Sequence, residues 1–241
     1  MDRPRIIAIE TSGRAGSVAI ASGPDLVSEA AFTADREHAR DLIPMLDDLL
    51  VMHGWTPASI EHCYLSVGPG SFTGLRVAVT FARHLALATG AKLCAVPTLD
   101  VIARNALSLA QPAERLAVIL DAKSQRVFGA LYDLVDGEYL RTQGPLHVPP
   151  ADLLRDAAGM AVTGEGVRYH EAAIRAAGAT ILDPTMSPPN AKHVHYIGWK
   201  MALRNEFAPP ETLIPLYVRR PDAELMWEKR MRDKANAADQ S

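Results

Sequence analysis

Apolar and polar positions alternate along the chain in blocks, and the spacing of the apolar positions predicts the type of each element. Residues 5–10 form a nearly continuous apolar run, which is typical of a buried central strand. Polar turns separate it from two further strand-like runs at 17–21 and 26–32. The apolar residues between 39 and 50 follow helical spacing. The chain therefore opens with three predicted strands and an amphipathic helix.

The most unusual stretch lies where a predicted strand at 63–67 meets the next helix. It reads Gly-Pro-Gly-Ser-Phe-Thr-Gly-Leu-Arg, and its glycines are Gly68, Gly70 and Gly74. Free amides at a helix start can bind a phosphate or a carboxylate. The glycine spacing fits neither the dinucleotide-binding fingerprint nor a Walker loop. An anion site and a tight structural turn therefore both stay open.

The helix that follows this motif is apolar on most of its circumference. Its main stripe starts at Leu75, and Val77, Phe81 and Ala88 are apolar on a second flank. A helix of this kind is buried on more than one side. Either it lies deep in its own domain, or a partner covers the second flank.

The second half of the chain repeats the opening pattern. Residues 116–121 form an apolar strand that ends on Asp121, as the first strand ends on Glu10, and a turn and a return strand follow. Such a repeat is what a duplicated two-lobe fold leaves in a sequence. We therefore predict an α/β protein with mixed sheets flanked by helices. The predicted lobes are 1–110 and 111–220, and a charged tail follows at 221–241.

Composition and charge narrow the classes of function. The chain has 241 residues, of which 48% are hydrophobic and 22% charged, and its net charge is -3. A protein with this charge has no global basic field for nucleic acid, so any role with RNA needs another subunit or a small local patch. The sequence shows neither a leader nor an apolar run of membrane-spanning length, which favours the cytoplasm.

Cysteine and histidine usage favours neither a disulfide nor a metal centre. Cys63 and Cys94 lie in apolar strand-like runs, which favours buried free thiols over a disulfide. His193 and His195 would point about 200° apart on a helix and form a poor shared metal site. His38, at a helix entrance, is more typical of a cap or surface residue than of a ligand. We therefore expect no metal site.

The nine residues from Gly68 to Arg76, followed by a helix of small residues, closely resemble the signature of the TsaB family, also called YeaZ. The segment Pro-Leu-Tyr-Val-Arg at 215–219 resembles the Pro-x-Tyr-Leu-Arg segment near the end of that family, with Val218 in place of Leu. The other similar stretches agree with the family in order and spacing. They are residues 6–12, 38–50, 120–123 and 164–166.

Resemblance to the TsaB family implies a two-lobed fold of the actin-like ATPase superfamily (ASKHA, ribonuclease H-like). In that superfamily an acid and the hydroxyls of the following turn lie near nucleotide phosphate and metal. The candidate cofactor-binding residues here are Glu10, Thr11, Ser12, Gly68, Gly70 and Asp121. Two alternatives stay open, because Glu10 could cap a turn and Asp121 could bind its own hairpin backbone. The pair Gly164 and Gly166 either approaches a ribose or base, or only ends a strand.

The resemblance also implies partners. TsaB-like proteins pair with the TsaD transferase and are joined by the TsaE ATPase, and the complex makes threonylcarbamoyladenosine in tRNA. This implies a non-catalytic scaffold subunit that meets tRNA only through the complex. It would need no cofactor alone, and ATP or ADP would bind at the partner interface. The helix of the glycine motif and the helix before it would pack on two helices of TsaD, and alone they would form a homodimer. The candidate interface residues are Leu42, Leu46, Leu75, Val77 and Phe81.

An enzyme that acts alone is the competing class. A kinase-like protein or ATPase would use Glu10 and Asp121 across the cleft, with magnesium-dependent nucleotide turnover. A peptidase would need a nucleophile beside a base. The sequence has neither a phosphate loop nor a Ser-His or Cys-His signature. A scaffold subunit without catalytic residues is therefore the preferred interpretation.

Overall fold

The computed structural model describes residues 3–32 and 38–218, without the side chains of residues 38–40. Its first sheet has the strand order β3-β2-β1-β4-β5. The first three strands form an antiparallel meander, and β4 and β5 add in parallel on the other side of β1. The strands are β1 (Arg5–Glu10), β2 (Ser17–Ser22), β3 (Asp25–Ala31), β4 (His62–Gly68) and β5 (Lys92–Pro97).

The second sheet repeats this arrangement with the order β8-β7-β6-β9-β10. Here β6, β7 and β8 form the meander, and β9 and β10 are parallel to β6. The strands are β6 (Arg115–Asp121), β7 (Val127–Val135), β8 (Glu138–Val148), β9 (Ala161–Thr163) and β10 (Thr180–Ile181). Because each strand has the same place in its sheet as its counterpart, the fold is a duplication, and the predicted two-lobed α/β fold with mixed sheets flanked by helices is confirmed.

Helices cover both faces of both sheets. They are α1 (His38–Met52), α2 (Phe72–Thr89), α3 (Thr98–Asn105), α4 (Pro150–Leu153), α5 (Val167–Ala176) and α6 (Ala191–Leu203). Short 3-10 turns lie at Pro57–Ser59, Ala106–Ser108 and Pro184–Met186. No helix in the described ranges is long and apolar enough to cross a membrane.

Alternation along β1 sends its side chains to the two faces of the first sheet. Ile7 and Ile9 pack in one core cluster with residues of α1 and α2, whereas Ile6 and Ala8 pack in another with residues of α6. This alternation is the period-two pattern of a strand that is buried on both sides. The continuous apolar run of β1 therefore reflects two cores, one on each face.

Two helices join the lobes across the predicted boundary near residue 110. Helix α3 lies between the sheets, since Val101 packs in a cluster of the first sheet and Ile102 in a cluster of the second. Helix α6 follows the second sheet in sequence but packs on β1, β2, β4 and β5 of the first. The boundary therefore separates the strands of the two sheets but not their helices.

Three elements have irregular or unusual lengths. Helix α3 ends at Asn105 and continues as a 3-10 turn, and α4 is the single turn Pro150–Leu153. Strand β8 is 11 residues long and extends to Val148. The charged tail predicted at 221–241 lies outside the described residues.

Candidate functional site

A cleft of about 770 Å³ opens between the two lobes. From the first lobe it is lined by the turn after β1 and by the glycine loop, including Ser12 and Gly70. From the second lobe it is lined by residues near the ends of β6 and β9, including Asp121 and Gly164. Clefts at the carboxyl ends of parallel strands are common ligand sites in α/β proteins. Of the six candidate cofactor-binding residues, Ser12, Gly70 and Asp121 line this cleft.

Glu10 does not face the cleft. Its carboxylate is fully buried and accepts hydrogen bonds from the backbone N–H and the Oγ of Ser12, both at 2.5 Å, and from the Oγ of Ser66. Burial raises the pKa of this carboxyl, against the opposing effect of these hydrogen bonds. Because the carboxylate is enclosed, the expected direct role of Glu10 in cofactor binding is corrected: it holds the turn after β1 against β4.

Thr11 has a similar structural role. Its Oγ1 donates to the carbonyl of Gly74 at 2.8 Å, and its side chain is fully buried. The neighbouring Ser12 carbonyl accepts from the Ser71 N–H at 2.7 Å. A Cβ on Gly70 would lie 2.5 Å from that carbonyl oxygen, so only glycine lets the two loops approach this closely. The glycine motif is therefore folded onto the β1–β2 turn.

Gly68 faces the C-terminal segment instead of the cleft. Its φ is +116°, a value that side chains rarely adopt, and a Cβ there would lie 3.1 Å from the Leu216 carbonyl oxygen. The Leu216 N–H in turn donates to the Val67 carbonyl at 2.7 Å. Residues 213–217 therefore return to the first lobe and pack beside the start of α2.

Asp121 lies at the cleft, and it is also bound to its own turn. Its Oδ1 accepts from the Lys123 N–H at 3.3 Å, and its Oδ2 lies 3.3 Å from the Lys123 ammonium. His170 Nε2 lies 3.5 Å from Oδ1. Both alternatives for Asp121 are therefore present together, but the group expected opposite it, the Glu10 carboxylate, is not exposed there.

The cations that line the cleft are paired with acids. Arg168 lies 3.2 Å from Glu165, and Arg175 lies 2.8 Å from Glu171. At the mouth, the Arg14 side chain from the first lobe reaches to 4.0 Å from Glu165. These pairs leave little unmatched positive charge for a polyphosphate.

Gly164 and Gly166 allow the loop after β9 to pack closely on β6, and this role explains them better than a ligand contact does. The φ of Gly164 is +108°, and a Cβ there would collide with the Ile119 carbonyl of β6. The Gly166 N–H donates to that same carbonyl at 3.0 Å. Of the two interpretations, the geometry favours close packing of this loop on β6, although Gly164 also borders the cleft.

The structure describes both cysteines and the two histidines of α6. Cys63 and Cys94 are free and buried, as predicted, and burial raises the pKa of the Cys94 thiol to about 12. Burial lowers the pKa of His193 to about 4, while His195 Nε2 lies 2.9 Å from the Gly23 carbonyl. No group of three possible metal ligands occurs in ranges 3–32 and 38–218. The side chain of His38 lies outside the described residues.

Three of the expected interface residues lie inside the protein. Leu42, Leu46 and Leu75 are at most 2% exposed, and Leu42 and Leu46 belong to the core beneath α1 and α2. This is a correction: the regular apolar stripe of each helix faces the protein's own sheet, because that stripe is what the core requires. Val77 and Phe81 are half-buried and pack at the edge of the same core.

Other apolar side chains of these helices are exposed, and the sequence analysis missed them. Their exposed fractions range from 61% to 75%, and they are Ile43, Val51, Met52 and Leu87. The signal was present as apolar residues outside the main stripe. A monomer has no need of large apolar side chains at such positions on two neighbouring helices.

Comparisons with known proteins agree with this architecture. A family model described as TsaD, tRNA N6-adenosine threonylcarbamoyltransferase, matches residues 32–228. The tRNA threonylcarbamoyladenosine biosynthesis protein TsaB of Escherichia coli is 35% identical over 53% of this chain and 54% of its own length. The protein of the same name in Bacillus subtilis is 24% identical over 92% of this chain and 97% of its own length.

A solved structure adds the fold. YeaZ from Pseudomonas aeruginosa is 28% identical, with a TM-score of 0.75 over 88% of this chain and all of the other. The chain belongs to the TsaB (YeaZ) family. The two segments that resemble the TsaB family most closely, the glycine motif and residues 215–218, are neighbours in space through the Leu216–Val67 hydrogen bond.

Proposed function

We propose that this chain acts in tRNA threonylcarbamoyladenosine biosynthesis as a non-catalytic subunit that pairs with a TsaD-like transferase. Membership of the TsaB family supports the role in this pathway. The single observation that carries the pairing is that four large apolar side chains of α1 and α2 are exposed, on more than one side of α1; together we call them the helix face. It consists of Ile43, Val51, Met52 and Leu87.

The helix face has the properties of a protein interface. Helices α1 and α2 contact each other and lie on the same side of the first sheet. Two neighbouring helices with exposed aliphatic side chains can pack on two helices of a partner in a four-helix arrangement. In the absence of the transferase, the same face would bind a second copy of the chain and give a homodimer.

The cleft supports a subunit more than an enzyme that acts alone. A kinase-like reaction would need the Glu10 and Asp121 carboxylates to face each other, but Glu10 is enclosed by hydrogen bonds. A peptidase would need an activated nucleophile, but both thiols are buried with raised pKa values. We therefore propose that any ATP or ADP binds at the junction with the transferase, where a TsaE-like ATPase also joins, and that tRNA meets this chain only in the complex.

Introduction of a charge on the helix face tests the pairing. Phe81 is half-buried against the core, so the exposed Leu87 is the cleaner position for substitution. Leu87→Glu and Val51→Glu should each weaken binding to the transferase by about 2 kcal/mol, which is roughly thirtyfold, because each places a charge in the apolar contact. Isothermal titration calorimetry of the purified pair measures this.

Leu140→Glu is the matched control, since Leu140 is an exposed leucine on the second lobe. It should bind the transferase as the original chain does, and all three variants should keep the original unfolding midpoint. The same variants can be expressed in cells depleted of the original chain, and the threonylcarbamoyladenosine content of bulk tRNA measured by nucleoside mass spectrometry. Only Leu140→Glu should restore this content. Tight binding by the Leu87 and Val51 variants would contradict this interface.

A further inference from the structure

The two segments that resemble the TsaB family build one exposed cluster of aromatic and arginine side chains. The guanidinium carbon of Arg76 lies 3.9 Å from the centre of the Phe72 ring, and Arg76 Nε donates to the Tyr217 hydroxyl at 3.3 Å. The Phe72 and Tyr217 rings are 5.8 Å apart and inclined by 42°. Phe72 is 44% exposed and Tyr217 39%. We call these three side chains the stacking cluster.

The helix that carries this cluster is positively charged within an acidic protein. Helix α2 contains Arg76, Arg83 and His84 and no aspartate or glutamate in its 18 residues, while the whole chain has a net charge of -3. Within the part of the chain that the structure describes, neither arginine forms an ion pair with an acidic side chain. Arg83 donates instead to the backbone carbonyl of Glu211 at 3.4 Å. Among residues 3–32 and 38–218, the terminal nitrogens of Arg76 have no acidic partner and can act as donors.

The cleft contains a similar arginine–aromatic pair, but its arginine is neutralised by an acid. Arg168 lies over the Tyr169 ring at 4.4 Å, but it also pairs with Glu165 at 3.2 Å. An arginine that is already neutralised by a carboxylate gains little from a phosphate. The stacking cluster on α2 therefore differs from the pair in the cleft by its unpaired guanidinium.

Distance along the helix separates this cluster from the helix face. At roughly 100° per residue, Phe72, Arg76 and Leu87 lie within about 60° of one another, so they share one side of α2. At about 1.5 Å per residue, however, Leu87 lies about 22 Å from Phe72 along the helix axis. The C-terminal segment borders the cluster through the Tyr217 contact. A ligand of the stacking cluster can therefore approach the N-terminal end of α2, away from Leu87.

Exposed aromatic rings beside unpaired arginines suit unpaired nucleotides. A base can stack on a ring or on a guanidinium plane, and the arginine donors bind the phosphates between bases. An aliphatic protein surface would instead leave the guanidinium without a partner. We propose that Phe72, Arg76 and Tyr217 form a contact site for unpaired nucleotides of RNA; that this RNA is the tRNA of the complex rests on the proposed function.

The first test uses the isolated full chain and a fluorescent oligouridylate of about ten nucleotides, and so it needs no partner. Fluorescence anisotropy should show weak, salt-dependent binding. The double variant Phe72→Ala, Tyr217→Ala should weaken it at least about fivefold, through loss of stacking. Arg76→Gln should lower the slope of log affinity against log salt by about one.

The matched control removes the neutralised stack in the cleft with the double variant Arg168→Gln, Tyr169→Ala, which should bind the oligonucleotide as the original chain does. The second test repeats the measurements with tRNA and the assembled complex. Equal RNA affinity and salt slope for all variants would overturn the proposal. So would loss of a protein partner without any loss of RNA binding, which would make the cluster a protein-docking surface.

Failure of the proposed function gives a different result. If the chain does not pair with the transferase, but its oligonucleotide binding still depends on the stacking cluster, the RNA site stands and the assignment of tRNA fails. If the chain pairs with the transferase, but substitutions in the stacking cluster leave oligonucleotide binding unchanged, the proposed function stands and the RNA site fails.

Discussion

The two lobes share a strand order but use the acid at the end of their first strand differently. In the first lobe, Glu10 is enclosed and binds the turn that follows it and Ser66 of β4. In the second lobe, Asp121 borders the cleft and binds its own turn and Lys123. The longer Glu side chain reaches the neighbouring strand, whereas the shorter Asp bonds to its own turn and lies 3.5 Å from His170 of α5. Equal topology therefore does not imply equal chemistry at equivalent positions.

The difference follows from what each acid contacts. Two acids that face a common cleft could hold a metal and a nucleotide between the lobes. Here Asp121 borders the cleft, while Glu10 bonds to Ser12, on which the glycine loop packs at the position of Gly70. The turn after β1 is therefore packed against the glycine loop in the first lobe.

The largest expected effect is on the free energy of unfolding, when the two acids are replaced one at a time. Glu10→Ala should lower the free energy of unfolding by about 4 kcal/mol, because it leaves several buried donors unpaired and opens a cavity. Asp121→Ala should cost less, about 1 kcal/mol, since its charged partner Lys123 is exposed to solvent. Urea unfolding followed by circular dichroism measures both. Similar costs for the two variants would show that the acids are equivalent after all.

A smaller effect is expected in the dependence of stability on pH. Burial raises the folded-state pKa of Glu10 above the unfolded value of 4.5, so the folded protein holds the proton more strongly. The stability from this group is fully present below about pH 4.5 and declines as the pH rises towards the folded-state pKa. The stability of Glu10→Gln relative to the original chain should therefore increase over this range. Urea unfolding of both proteins at several pH values measures this. If the difference in their free energies of unfolding does not change with pH, the pKa of Glu10 is not raised in the folded protein.

The smallest effect concerns the ion pair that crosses the mouth of the cleft. Arg14 and Glu165 are 4.0 Å apart and exposed, and such pairs contribute little. Arg14→Ala should change the free energy of unfolding by less than about 0.5 kcal/mol. Thermal and urea unfolding of this variant check the value, with Arg155→Ala as a control for the loss of an exposed arginine. A cost above 1 kcal/mol would mean that this pair holds the lobes together.

Much of the architecture was predictable because it depends on local patterns. The apolar runs ending on Glu10 and Asp121 and the helical stripe after Gly74 predicted the strands, the duplication and α2. The glycine motif indicated the family on its own, since its close packing on Ser12 tolerates few other residues. The free, buried state of Cys63 followed in the same way from its apolar surroundings.

Periodicity and glycine chemistry act over a few residues, and they were therefore enough to assign residues to strands, helices and the tight loop. Which side of a helix meets the core depends on contacts between distant segments. Leu75 was therefore expected at an interface but lies inside, while Leu87 is exposed. The enclosure of Glu10 needs Ser66, and the stacking of Arg76 needs Tyr217, which lies 141 residues away. Only the tertiary structure brings such partners together, because their sequence separation is unrelated to their distance in space.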